Sequence, residues 1–298
     1  MIQSQMGEFA ALITALCWTI TAISFEKASK RVGSLPVNWI RLVLALFLFC
    51  GYSWIVRGTI FPMDASGHAW LWLMLSGLIG FVMGDLLLFR AFVEIGSRIS
   101  MLIMASVPML TAIMGWIWMD ERLSSLDIFA MVVTVTGIIL VVLDRNGKNK
   151  IELKHPLRGV FLALGGAVGQ SVGLILSKYG MGDYDAFAAT QIRVIAGIIG
   201  FSILFFVLKR WRAVKEAVFN RKGMLPISIG AFFGPFLGVA FSLLAIQNTF
   251  TGVASTIMAI VPILIIPPAV LFFHERVTAR EVLGAFIAVA GVALLFLK

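Results

Sequence analysis

Three ionisable residues stand inside long apolar runs: Asp85 in GFVMGDLLLF (80–89), Arg41 in WIRLVLA (39–45) and Arg193 in TQIRVIAG (190–197). A charged side chain at the centre of an apolar span costs about 2.5–3.5 kcal/mol to insert, so each must face a partner, a wet cavity or the interface. Asp85 admits two readings. It is either the carboxylate that takes up and releases a coupling proton or cation, or the ion-pair partner of Arg41, and one group can be both. Arg193 either snorkels to the membrane surface or offers a positive group to a substrate carboxylate.

Further polar groups fall at a similar depth. They are Trp18, Thr19 and Thr21, then Gln170 and Ser171, with Ser106 and Thr256 flanking Pro108 and Pro262. A small amphipathic ligand would meet an indole, an amide and hydroxyls there. Each hydroxyl can equally bond a neighbouring helix, a role assigned first to Thr21 and Ser106. Glu94 with Arg90 and Arg98 reads as a solvated helix-end cluster, and the Phe and Met stripes as lipid-facing surface and packing.

The elements that must position these groups follow from composition. Of 298 residues, 60% are hydrophobic and 13% charged, with mean hydropathy +1.00. A soluble domain cannot supply a polar shell from that composition, so lipid is the solvent for most of the chain. Ten nearly uncharged runs begin near Gly7, Leu35, Trp70, Ile99, Leu126, Leu157, Asp185, Gly223, Gly252 and Arg280. Each is roughly 18–24 residues, the length a helix needs to cross the hydrocarbon. The period-2 alternation of a β-barrel is absent, so the expected class is an all-α integral membrane protein. The first run is too long for a leader and has no small-residue cleavage site after it, so it is read as a helix.

Other chemistry finds little support. Cys17 and Cys50 lie inside apolar runs and read as small buried side chains. His68, His155 and His274 are scattered without ligand spacing, so neither a metal nor a cofactor is expected. No glycine-rich loop precedes Lys-Ser or Lys-Thr, which argues against an ATP-driven pump. The net charge of +9 is better explained by topology than by nucleic acid. Of 24 Lys and Arg, eighteen fall in one alternate set of loops and four in the other, with Arg41 and Arg193 inside helices. Cytoplasmic loops carry that excess, so both termini are expected on the non-cytoplasmic side.

The chain also repeats itself. MASVPMLTAIMGWIWMDER (104–122) aligns with MAIVPILIIPPAVLFFHER (258–276) at a shift of 154 residues. Met104 then meets Met258, Pro108 meets Pro262, Gly80 meets Gly234, and Asp85 meets Val239. A shift of 152 residues sets Arg41 on Arg193, and Trp18-Thr19 on Gln170-Ser171. Two halves are implied, 1–150 and 151–298. With five runs each, the second must enter the bilayer inverted, as in secondary transporters whose site lies between the halves. The mid-run prolines each free the carbonyl four residues back, at Met104 and Met258, next to the central cavity. Ser124 with Asp127, and Thr278 with Glu281, have capping-box spacing and read as helix starts.

These residues resemble the drug/metabolite transporter superfamily, specifically its ten-helix EamA-like branch. The resemblance rests on the ending of each half, Glu121, Ser124 and Gly137, then Glu275, Thr278 and Gly291. It also rests on ALCWTITA in the first run, where Thr19 stands in place of a common glycine. The resemblance implies a multi-pass inner-membrane exporter or exchanger of small metabolites, amino acids among them. It implies a central cavity lined by helices 1, 3, 4, 6, 8 and 9. The branch is usually drawn with cytoplasmic termini, whereas the charge count of this chain points the other way. Protons are the expected coupling partner, and the unit is a monomer or a homodimer.

Two rival readings are weighed against it. MGDL (83–86) and GDYD (182–185) resemble pieces of aspartyl intramembrane proteases, but Val82 replaces the needed glycine and the order is reversed. No enzyme is expected. A lipid flippase or a non-transporting subunit of the same fold leaves no contrary signature, although a passive subunit would not explain Asp85.

Overall fold

The computed structural model describes residues 2–118, 124–146, 150–153, 156–249, 254, 257–273 and 277–294. The first half begins with α1 (Ile2–Val32) and α2 (Ser34–Arg57). Gly33, at φ 88°, takes the chain between them, and α2 stops at Gly58 in the left-handed region. Helix α3 (Gly67–Gly77) starts under Ser66, whose hydroxyl accepts from the Ala69 N–H at 3.1 Å. It runs without a break into a π-helical segment, Leu78–Gly84, and then into α4 (Asp85–Met104). Helices α5 (Val107–Trp118) and α6 (Ser125–Val142) follow.

The second half carries α7 (Leu157–Met181), α8 (Ala186–Leu208), a short amphipathic α9 (Trp211–Phe219) and α10 (Arg221–Ala231). A second π-helical segment, Phe232–Gly238, leads into α11 (Val239–Asn248). Helices α12 (Val261–Leu264), α13 (Ile266–Phe273) and α14 (Ala279–Leu294) close the chain. Among the described residues, seven helical stretches are long and apolar enough to cross a bilayer, and Val261–Leu271 is a shorter apolar one. Phe47, Ile55 and Phe206 point outward at 71%, 86% and 78% exposure. Soluble proteins rarely expose such contiguous apolar surface. The protein is a multi-pass membrane protein.

The spanning segments are all helical, as the all-α class requires, and the segment between the halves forms a short antiparallel ribbon, β1 (Leu143–Asn146) against β2 (Lys150–Leu153), with Leu143 opposite Leu153. Its sequence, DRNGKNKIEL, is too polar to stay in lipid, and the Asn-Gly pair within it favours a turn. The runs near Trp70 and Ile99 meet at Gly96 with no loop between them: φ 79° and ψ 160° there are non-helical, so one helix ends and the next begins. Glu26 of α1, buried and ion-paired to Lys30, accepts the Ser97 N–H at 2.7 Å and so caps the restart.

The prolines also sit differently. The Ala105 and Ser106 N–H groups bond back only three residues, to Leu102 and Ile103, and α5 then starts at Val107. Pro108 is therefore the second residue of a new helix, where the missing N–H leaves nothing unsatisfied. Pro262 holds the same place in α12, after a matching Ile260 to Ile257 turn. The prolines start helices rather than kink them.

Close helix approach fixes the middle of the bundle. A Cβ on Gly169 of α7 would lie 2.6 Å from Gly84 Cα, so these two backbones touch. Ser76 reinforces the contact by donating to the Gly173 carbonyl at 2.7 Å. At the bundle's flank both capping boxes form. The Ser124 N–H reaches Asp127 at 2.7 Å and the Thr278 N–H reaches Glu281 at 2.9 Å, each answered by the return bond. Arg98, expected in the Glu94 cluster, pairs with buried Glu281 at 3.1 Å, tying α4 to α14. Glu94 keeps Arg90 and gains Arg158.

Candidate functional site

Both halves wall a cavity of about 160 Å³. Its charged residues are Arg41, Asp85 and Arg193, each 3–4% exposed.

Asp85 follows the first π-helical segment, and its N–H bonds the Gly80 carbonyl five residues back. A π-turn adds a residue to the helical register and is frequent at functional sites. Here it turns the carboxylate toward α2 and α7. The Arg41 guanidinium donates to Asp85 Oδ2 at 2.5 Å, and the Gln170 amide donates to Oδ1 at 2.7 Å. Asn38, one turn before Arg41, accepts from Arg41 Nε at 3.2 Å and donates to the Asp85 carbonyl at 3.3 Å. Aromatic faces enclose the pair. The Arg41 guanidinium lies 4.6 Å from the Phe89 ring centre and 5.5 Å from those of Phe25 and Phe81. The network satisfies both carboxylate oxygens, which a buried ion pair requires if it is not to destabilise.

Arg193 departs from the snorkelling expectation. It is 3% exposed and lies inside the bundle, 4.9 Å from the Phe81 ring centre. Gly80 makes room for it, since a Cβ there would stand 3.3 Å from the Arg193 guanidinium. Its Nε has no hydrogen-bond partner among the described residues.

The other anticipated residues divide by face. Trp18, Met104, Pro108, Gln170, Met258 and Pro262 line the cavity with the three charged groups. Thr19, Ser106 and Ser171 do not. Their hydroxyls bond the carbonyls of Ala15 (2.9 Å), Ile103 (2.7 Å) and Val107 (3.1 Å). Adjacent helical residues point about 100° apart, so Trp18 and Gln170 can face inward only if Thr19 and Ser171 turn away. Thr256 lies outside the described residues. Thr21, read as a packing hydroxyl, lines the cavity with no hydrogen-bond partner. Of the Phe stripes, expected at lipid-facing surface and in packing, Phe25, Phe81, Phe89 and Phe92 are buried and also face the cavity. Asn38 was also missed, although its position one turn from Arg41 was a usable signal.

Eight of the ten apolar runs contribute, those implied by the resemblance together with the second and seventh, which supply one arginine each. The fold and cavity define a helical membrane protein with a largely apolar cavity inside the bundle that carries three charged side chains. The EamA-like transporter family matches the chain twice, over residues 5–143 and 157–297, and the chain belongs to that family, within the drug/metabolite transporter superfamily. Human solute carrier family 35 member G1 is 28% identical over 214 residues, covering 69% of this chain and 57% of the human protein. The chain thus spans little more than half of that relative. An uncharacterized transporter of Clostridium kluyveri is 20% identical over 289 residues, 96% of this chain and 91% of its own. A solved crystal structure with TM-score 0.64 and 14% identity covers 98% of this chain and 96% of its own, and shares the fold.

Proposed function

We propose that this protein is a secondary transporter that exports or exchanges small metabolites, such as amino acids, by alternating access around the central cavity. Ten crossings form two inverted five-helix repeats, 1–150 and 151–298, in the cell inner membrane with both termini non-cytoplasmic. Asp85 is the coupling carboxylate. Paired to Arg41 it is charged, and protonation would release Arg41 and let the surrounding helices repack.

The observation that carries this reading is the Arg41–Asp85–Gln170 network at a cavity walled by both halves. Two features support the repeat. The π-helical segments lie 154 residues apart, as do the helix starts at Val107 and Val261. A matched pair of irregular hinges is what two alternative closures around one site would use.

The test is counterflow in proteoliposomes across a panel of labelled metabolites, with and without a pH gradient. Wild type should exchange one solute class and accumulate it against a gradient when protons flow. Asp85→Asn should keep exchange and lose proton-driven accumulation. Flux indistinguishable from empty vesicles for every solute would sink the transporter reading. Labelling of single cysteines at each terminus in intact cells tests the orientation.

A further inference from the structure

The cavity carries two guanidinium groups and one carboxylate, so its described lining holds one uncompensated positive charge. The distribution of that charge is uneven. Arg41 is spent, with Nε on Asn38 and a terminal nitrogen on Asp85. Asp85 is spent too, with one oxygen on Arg41 and the other on Gln170. Among the described residues Arg193 makes no ion pair and its buried Nε has no hydrogen-bond partner; the Phe81 ring and Gly80 stand beside it, and Asp85 acts on it only through space. A guanidinium so incompletely satisfied inside a membrane protein is expensive, and such residues mark ion and substrate pathways.

Resting on the transport reading above, we infer that Arg193 is the anchor for a substrate anion, and that the solute is an amphipathic carboxylate. A guanidinium presents a planar fork that matches a carboxylate. Asp85 spends its oxygens on Arg41 and Gln170 and reaches Arg193 only through space, so an anion at Arg193 does not have to displace it. The rest of the wall is apolar and aromatic, with Trp18, Phe25 and Phe89 lining the space. That favours an acid with a compact apolar body over a sugar or a polycation. Gly80 is the enabling residue, because any larger side chain would crowd the guanidinium.

The inference is tested on the purified full-length protein by thermal melting with phenylacetate, 2-phenylethanol and 2-phenylethylamine. These share one body and differ in charge. A ligand that binds only the folded state raises the melting temperature. Phenylacetate should stabilise wild type, and the alcohol and amine should not. Arg193→Met should weaken phenylacetate binding about ten- to a hundredfold, the loss expected for one charge-assisted contact in a desolvated site. Arg193→Lys should keep the preference for acid over amine with weaker binding. Asp85→Asn should act in the opposite direction, tightening phenylacetate about tenfold by leaving Arg41 unpaired as well. Equal shifts for the three compounds, or an undiminished acid-selective shift in Arg193→Met, overturn the inference. Acid binding that depends on Arg193, without flux in proteoliposomes, would sink the transport reading and leave the anion site standing. Flux of solutes with acid binding indifferent to Arg193 would do the reverse.

Discussion

Asp85 and Val239 hold the same station in stretches of chain 154 residues apart, each directly after a seven-residue π-helical segment and each on the cavity wall. Where one half ends its irregular turn in an acid, the other ends it in a valine. The two arginines 152 residues apart are consequently unequal: Arg41 is ion-paired, whereas Arg193 has no ion pair among the described residues.

That inequality predicts the effect of erasing it. Asp85→Val should destabilise the protein by about 3–5 kcal/mol, because removing one member of a buried pair leaves the other charge uncompensated. Adding Arg41→Met should recover most of the loss. Melting temperatures of the two single variants and the double variant form the cycle. A double variant as unstable as Asp85→Val alone would show that the pair is not the cause.

Backbone contact between α7 and the first π-helical segment should tolerate no side chain. A Cβ at Gly169 falls 2.6 Å from Gly84 Cα, so Gly169→Val should abolish the monodisperse folded peak in size-exclusion chromatography. Gly51 of α2 meets nothing within 4 Å, and Gly51→Ala should be neutral or stabilising by about 0.5–1 kcal/mol.

The start of α14 combines a cap with an ion pair. Thr278→Ala removes one side of the capping box and should cost about 1 kcal/mol. Glu281→Ala removes the other side and the Arg98 contact together, so its fall in melting temperature should be the larger. Equal falls would mean that the 3.1 Å pair contributes nothing.

At the membrane face where α2 ends, Asp64 accepts from the Tyr184 hydroxyl at 2.9 Å and from Arg57 at 2.5 Å. Slight burial acts to push the Asp64 carboxyl up, but the Tyr184 hydroxyl and Arg57 outweigh it and hold it below its ordinary value. A lowered carboxyl stabilises the fold above its unfolded-state titration, and that contribution is lost as pH falls through the folded-state value. The side chain is 57% exposed, so the effect is screened and should stay below about 1 kcal/mol. Melting between pH 7 and pH 3 should show a slightly steeper acid loss in wild type than in Asp64→Asn. Parallel curves would remove Asp64 from the account.

Much of the site was legible because its signals are local. The Arg41–Asp85 pair could be read from two charges at matching depth in neighbouring runs, and the capping boxes from three-residue spacing. Arg193 stayed between two readings, snorkelling or facing a solute, for an equally physical reason. An arginine a few residues into a helix reaches the surface only if its face of the helix is open, and the close contact of Arg193 with Gly77 and Gly80 closes it. The prolines were misread because a sequence shows that a hydrogen bond is absent, not whether the helix has already ended.

The sequence by itself determined the solvent, the number and spacing of apolar runs, the repeat, and which few residues could bear charge inside the membrane. Those depend on composition along one dimension, and hydropathy is a one-dimensional quantity. Only the tertiary structure decided that Trp18 and Gln170 face the cavity while Thr19 and Ser171 turn to backbone carbonyls. It alone put Phe25 and Phe89 around Arg41 and left the Arg193 Nε without a hydrogen-bond partner among the described residues. A helix apolar all round carries almost no amphipathic signal to set its rotation. That rotation is fixed by where neighbouring backbones can touch, at positions such as Gly84 and Gly169, and by the π-helical turn that swings Asp85 into the centre.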